Sequence, residues 1–111
     1  MRGSVKIGDQ TIDMLANGAS PFLYKRIFHK DFLSSVGDSD NVDTTVITEM
    51  AYVMHMQTQK TFKEILDTVT ADDFIEWVTQ FEALEFAMCS DQIFRIYHGQ
   101  TKTTSTPKKK R

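Results

Sequence analysis

Thr70–Phe81, TADDFIEWVTQF, decides the fold. Thr70-Ala71-Asp72-Asp73 reads as a capping box with Asp in place of the usual Glu, a signal that opens a helix. Phe74, Ile75, Trp77, Val78 and Phe81 then recur on one face, and Asp72, Asp73, Glu76, Thr79 and Gln80 take the other. That spacing has the period of a helix and not of a strand. Continued at about 100° per residue, it would put Glu85 in the middle of the apolar face, so a break is predicted near Glu82 to Glu85. Beyond it a new phase begins. Phe86, Cys89, Ile93, Phe94, Ile96 and Tyr97 predict a last helix over Phe86–His98, with Gly99 as its stop.

Upstream the same period recurs. Phe62, Ile65, Leu66 and Val69 predict a short helix. Asp43-Thr44-Thr45 opens a longer one reaching Gln59, whose wide apolar face of Val46, Ile47, Met50, Ala51, Val53 and Met54 marks it as the central element, covered on more than one side. Gly37 to Asn41, GDSDN, is a polar loop. Ser20-Pro21 reads as an N-cap followed by Pro at the first helical position, giving a helix from Pro21 to about Ser35 that Gly37 ends. Leu23, Tyr24, Ile27, Phe28 and Phe32 share its apolar side; Lys25, Arg26, His29 and Lys30 take the other. Asp31 falls within the apolar arc, as an edge residue or as a recognition residue.

The first fifteen residues change period. Val5-Lys6-Ile7 and Thr11-Ile12-Asp13-Met14 alternate apolar and polar side chains around Gly8-Asp9-Gln10, the pattern of a β-hairpin over residues 5–14. Asn17-Gly18 marks the turn out of it. The expected fold is mainly α, in the α+β class: a short N-terminal β-hairpin, then a compact bundle of four to five helices. The expected domains are one globular unit over residues 1–99 and a basic tail over 100–111. That tail, Gln100–Arg111, has no apolar side chain but the Pro107 ring, too little to offset the entropy of ordering it, and a disordered tail is expected.

Composition narrows the function classes. With 111 residues, 41% hydrophobic and 25% charged, the chain has the profile of an ordinary single soluble domain. The formal charge of −2 conceals an asymmetry, because Lys108, Lys109, Lys110 and Arg111 sit together in the tail. The remaining body is acidic, which argues against a nucleic-acid-binding face. No apolar run approaches the roughly 20 residues that cross a bilayer, so no membrane partner is expected. Met1-Arg2-Gly3-Ser4 leads into no apolar stretch of a secretory signal, and an MRGS start is also what cloning vectors leave, so it is given no weight. A single cysteine, Cys89, forms no internal disulfide and fits a reducing cytoplasm.

Catalytic signals are missing. There is no P-loop, GxGxxG, CxxC or HExxH spacing. His29, His55 and His98 come from three different helices without a second ligand type at metal-binding spacing. Cys89 lies on an apolar face and reads as a small core residue. Asp72, Asp73 and Glu76 cluster where the helix dipole favours acids, the alternative being a catalytic carboxylate pair. A non-enzyme without cofactor or metal is the expectation. Met50, Met54 and Met56 gather on one helix, with Met88 on the last, as core filler or as an adaptable binding face. Trp77 is core or an interface anchor.

The VKIGDQTIDM strand pair, a helix bearing Phe22-Leu23-Tyr24-Lys25, the acidic-capped Asp72-Asp73-Phe74-Ile75-Glu76-Trp77 segment and the Lys-rich end resemble one family. It is the tail assembly chaperones of long-tailed bacteriophages and prophages of Gram-positive hosts. The likeness spans Val5 to the tail, through layout and short segments. It implies binding to the long, largely helical tape measure protein in the cytoplasm of the bacterial host. The client would stay soluble while tail tube subunits polymerise around it, and the chaperone would be absent from the mature virion. Many such genes also make a longer product by programmed ribosomal frameshifting, whose extra domain is thought to recruit the tail tube protein. Lys108, Lys109 and Lys110 are the candidate frameshift junction.

A holdase needs apolar surface for its client and charge to keep the complex soluble. Phe28, Phe32, Met54, Trp77 and Phe81 are the candidate partner-binding residues, and weak homo-oligomerisation without client is expected. The alternatives are a small non-enzymatic adaptor docking a folded partner through the Met-rich helical face, and nucleic-acid binding through the tail, for which four basic residues without aromatics are a weak footprint. On the frameshift reading, the codons of Lys108 to Lys110 form an A-rich slippery heptamer with an overlapping frame behind it. Sequencing that shows mixed AAG codons and no downstream frame would remove the support.

Overall fold

The computed structural model describes residues 1–37 and 42–99. The tail at 100–111, the junction residues Lys108, Lys109 and Lys110, and residues 38–41 of the GDSDN loop lie outside the described residues. The elements are β1 (Arg2–Ile7), β2 (Gln10–Leu15), α1 (Ser20–Phe28), α2 (Phe32–Val36), α3 (Thr44–Gln59), α4 (Phe62–Thr68), α5 (Ala71–Val78) and α6 (Glu85–Tyr97).

β1 and β2 pair antiparallel with Val5 opposite Ile12 and Ile7 opposite Gln10, so the connection is the two residues Gly8-Asp9. Gly8 has φ 63° while Asp9 keeps an ordinary φ, the combination of a type II′ hairpin turn, where glycine is required. The strands begin earlier than the alternation suggested: Arg2, Gly3 and Ser4 already pair with Leu15, Met14 and Asp13. Val5, Ile7, Ile12 and Met14 are buried on one face. Their burial stabilises by roughly 1.5–3 kcal/mol each, which an isolated two-stranded hairpin could not supply. The covering layer is α3 and α6. Each helix also caps an outer strand edge, His55 Nδ1 lying 2.8 Å from the Asp13 carbonyl and Cys89 Sγ 3.3 Å from the Lys6 carbonyl.

α3 is the central helix. The Asp43 side chain accepts from the Thr45 and Val46 amides to start it, and Val46 through Met54 are buried apart from Glu49. α1, α2, α4, α6 and β2 all pack against it. Glu49, 13% exposed, is satisfied by the Tyr24 hydroxyl at 2.6 Å and the Lys30 ammonium at 3.1 Å. The Ser20 hydroxyl donates to Gln57 at 2.7 Å and Gln57 donates to Asn17 at 3.0 Å, tying the start of α1 to the end of α3.

Several sequence readings change. The helix expected over Pro21–Ser35 is two: His29 turns left-handed (φ 61°, ψ 32°) and ends α1, and α2 restarts at Phe32. Asp31, exposed beside the buried Phe32, is the N-cap of α2 and accepts from the Ser34 amide at 3.2 Å. Ser20 lies inside α1, whose N-cap is Ala19. The Thr70–Asp73 capping box forms as expected, with both reciprocal bonds present. A second box, Thr61 with Glu64, opens α4. The break after α5 comes at Thr79, several residues before Glu82.

Gly8 also sits against the first turn of α6: an added Cβ would collide with the Glu85 carboxylate. Gly8→Ala is expected to lower unfolding free energy by about 1–3 kcal/mol, from the left-handed backbone and the clash together. Removing the carboxylate with Glu85→Ala should recover only the steric part. Denaturant unfolding of the two single variants and the double variant measures this; a Gly8→Ala protein as stable as the parent would refute the turn geometry.

Candidate functional site

α5 is held to the body chiefly by two rings. Phe74 is buried edge-on against Phe28 (5.3 Å between centroids) and Tyr52 (5.7 Å). Trp77 packs on Tyr52 at 5.2 Å, lies stacked over His55 at 5.9 Å and meets Phe86 at 5.5 Å. Phe81, just past the helix, is edge-on to Trp77 at 5.2 Å and to Phe86 at 5.0 Å. Ile75, 56% exposed, points to solvent from the same helix.

Two open grooves flank α5. The first, about 410 Å³, is lined by Tyr52, Met56, Lys60, Asp73, Glu76 and Trp77, together with Thr68 and Val69. It joins aromatic walls to two carboxylates. The second, about 330 Å³, is lined by Phe74, Val78, Phe81, Ala83 and Phe86 with Thr45, Thr48 and Glu82, and is the more apolar. One carboxylate is already committed, since Asp73 Oδ2 accepts from the Thr70 amide at 2.8 Å and the Thr70 hydroxyl at 3.1 Å. Burial, with the charges of Asp73 and Glu76 behind it, pushes the Tyr52 phenol up to about 12.

The predicted partner-binding residues divide accordingly. Trp77 lines the first groove and Phe81 the second. Phe28 is half-buried beneath Phe74, and Tyr24 links it to Phe32, with ring centroids 5.0 Å and 5.3 Å away. Phe32 is 2% exposed and Met54 0%, so both are core residues of this fold and not part of an exposed face. Their helices are covered on the side that periodicity made look available. Met50 is buried as well; of the Met-rich stretch only Met56 reaches a groove. The structure adds surface residues that the sequence reading missed, Phe22, Leu33, Ile75 and Leu84, and it leaves Met88 exposed and not core filler. The sequence signal for Leu84 was its place between Ala83 and Glu85, off every helical face.

The remaining candidate chemistry is dispersed. His29 ends α1, His55 bonds β2 and stacks on Trp77, and His98 caps α6 beside Phe94 and Tyr97. Burial pushes the Cys89 thiol up, away from thiolate character, and Glu85 adds to the shift. Among the described residues no group of three or more His, Cys, Asp or Glu side chains is arranged to hold a metal ion. Nor is any helix among them long and apolar enough to cross a membrane. No protein family, curated protein or solved structure matches the chain.

All three tyrosines resist ionisation. Burial raises Tyr24, Tyr52 and Tyr97, with Glu49 adding to Tyr24 and Asp31 to Tyr97. A phenol whose folded value exceeds its unfolded value of about 10 stabilises nothing extra below that pH and costs stability as pH rises above it. Stability is thus expected to fall from about pH 10 toward pH 12, with tyrosinate absorbance appearing together with loss of the helical circular dichroism signal. A tyrosine titrating near pH 10 in a still-folded chain would contradict the burial described for that residue.

Proposed function

We propose that this chain is a phage tail assembly chaperone that holds the tape measure protein in solution in the host cytoplasm until the tail tube closes around it. The carrying observation is the α5 ridge: an exposed Ile75, an aromatic groove on each flank, and Trp77 and Phe81 forming their walls. An amphipathic client helix presents apolar side chains at i, i+3 or i+4 and i+7, spaced to straddle such a ridge and fill the grooves. The sequence resemblance supplies the identity of the client. An acidic body, together with the basic end, supports a soluble complex. The frameshifted longer product, with Lys108 to Lys110 at its junction and the tail tube protein as its indirect partner, belongs to the same proposal, as does absence from the finished virion.

The rival adaptor reading depended on a Met-rich helical face. Met50 and Met54 lie in the core, so that face offers a partner little to touch.

Co-expression tests the proposal. The tape measure protein encoded alongside this chain is expected in the soluble fraction with the native chaperone and in the pellet without it. Ile75→Glu and Leu84→Glu alter exposed side chains, so they should leave the fold intact while reducing recovered complex at least several-fold. A client that stays insoluble beside abundant native chaperone would overturn the proposal. Without client, the chain should bind hydrophobic dye and self-associate weakly by light scattering; a strict monomer at high concentration with no dye signal argues against exposed holdase surface.

A further inference from the structure

Asn17-Gly18 lies in the joint between β2 and α1, and its hydrogen bonds fix which way each amide there points. The Ala19 amide stands 2.9 Å from the Asn17 side chain; an N–H only donates, so the atom it meets is Oδ1 and not Nδ2. Gln57 approaches the same Oδ1 at 3.0 Å and must therefore present its Nε2. Its Oε1 is left to accept from the Ser20 hydroxyl at 2.7 Å, and the Ser20 oxygen, 0% exposed, accepts from the Asn17 amide at 3.0 Å. The Ser20 amide in turn donates to the Asn17 carbonyl at 3.0 Å. Asn17 is thus held at its backbone amide, its backbone carbonyl and its side-chain oxygen. Among the described residues neither Asn17 Nδ2 nor the Gly18 amide has a hydrogen-bond partner. Both residues are exposed, and no heavy atom lies within 4 Å of a Cβ added at Gly18.

We infer that Asn17-Gly18 is a self-modification site, at which the folded chain converts Asn17 to aspartate and isoaspartate through a cyclic imide. The Gly18 amide gives its proton to hydroxide from solvent, and its nitrogen attacks Asn17 Cγ. Negative charge collects on Oδ1, where the Ala19 N–H and Gln57 Nε2 already stand at the distances of an oxyanion hole. The Cγ–Nδ2 bond then breaks, and Nδ2 takes a proton from water and leaves as ammonia. Water next adds to one of the two ring carbonyls and breaks that carbon's bond to the Gly18 nitrogen, which regains a proton. The sum is one water consumed and one ammonia released. Opening at Cγ gives aspartate; opening at the former main-chain carbonyl gives isoaspartate. Aspartate keeps both side-chain bonds, since only the oxygen was used, and adds negative charge beside α1, whose first turn holds no acid. Isoaspartate routes the main chain through Cβ and Cγ, so the carbonyl that accepted from the Ser20 amide leaves it and the joint gains one atom. A slow covalent clock thus sits where the hairpin meets α1 and, through Gln57, the end of α3. The site is independent of the chaperone reading.

The full-length protein is incubated at neutral pH in water enriched in heavy oxygen, and its tryptic peptide Ile7–Lys25 is followed by tandem mass spectrometry. Residue 17 should lose its amide nitrogen, take up labelled oxygen and emerge as both acids, the isoaspartate being read independently by enzymatic methylation. The folded chain should react at least as fast as the same chain unfolded in urea. Gly18→Ala, whose methyl meets nothing in this fold, crowds the attacking nitrogen and should slow the reaction about tenfold. Gln57→Met removes one donor to Oδ1 at similar size and should slow it several-fold. Circular dichroism confirms that both variants are folded. Slower reaction in the folded than in the unfolded chain would overturn the inference, because the hydrogen bonds would then restrain Asn17 instead of activating it. A rate unchanged or raised by Gln57→Met would do the same. A rate unmoved by Gly18→Ala would mean direct hydrolysis without the imide and would overturn it as well.

Discussion

Between Val46 and Met54 the only residue of α3 that is not buried is Glu49, and no single neighbour can hide so much of a helix's circumference. That constraint organises the molecule. The hairpin, α1, α2, α4 and α6 are each placed where they cover part of α3, and their own apolar stripes are buried in doing so. Glu49 is the exception that the packing must accommodate. An unpaired carboxylate there would cost several kcal/mol, and the Tyr24 hydroxyl with the Lys30 ammonium removes most of that penalty. Lys30 is available because α1 stops at His29: the left-handed turn redirects the chain and brings α2 against α3.

From that helix outward, aromatic rings form a continuous series. Tyr97 meets Phe32, Phe32 meets Tyr24, and Tyr24 meets Phe28. Phe28 then meets Phe74, Phe74 meets Trp77, and Trp77 meets Phe81 and Phe86. The series starts at the C-terminal end of α6 and returns to its first turn. Ring pairs each contribute about 0.5–1.5 kcal/mol beyond the area they bury. α5 is attached largely through this series, with Val78 adding an aliphatic contact, and its flanks are left open as grooves.

Local chemistry was legible where one residue decides one event. Asp43, the Thr70–Asp73 box, the Gly8 turn and the Gly99 stop each fix a terminus through a bond or a backbone angle that no tertiary contact needs to supply. The α1–α2 break was not legible, because Leu23, Tyr24, Ile27, Phe28 and Phe32 keep a helical rhythm straight through it. His29 adopts φ 61° without glycine's help, and the usable sign was Asp31 three residues before Ser34, a cap within an apolar arc. The candidate surface was half legible. Periodicity tells which side of a helix is apolar but not which neighbours consume it, so Phe32 and Met54 were indistinguishable from Trp77 and Phe81 until the partners were placed. Ile75 shows the converse: on a helix wrapped only partway, a residue of the apolar face is left in water.

The contact between Gly8 and Glu85 joins residues 77 positions apart. At 5–20 residues per second, a ribosome takes roughly 4–15 s to get from one to the other. Throughout that interval the hairpin face of Val5, Ile7, Ile12 and Met14 lacks the helix that finishes covering it. Closure of so long a loop also makes this a late step in folding. The nascent chain thus spends seconds with its first-made apolar surface incompletely covered, and its yield in a cell depends on how crowded and how protected those seconds are.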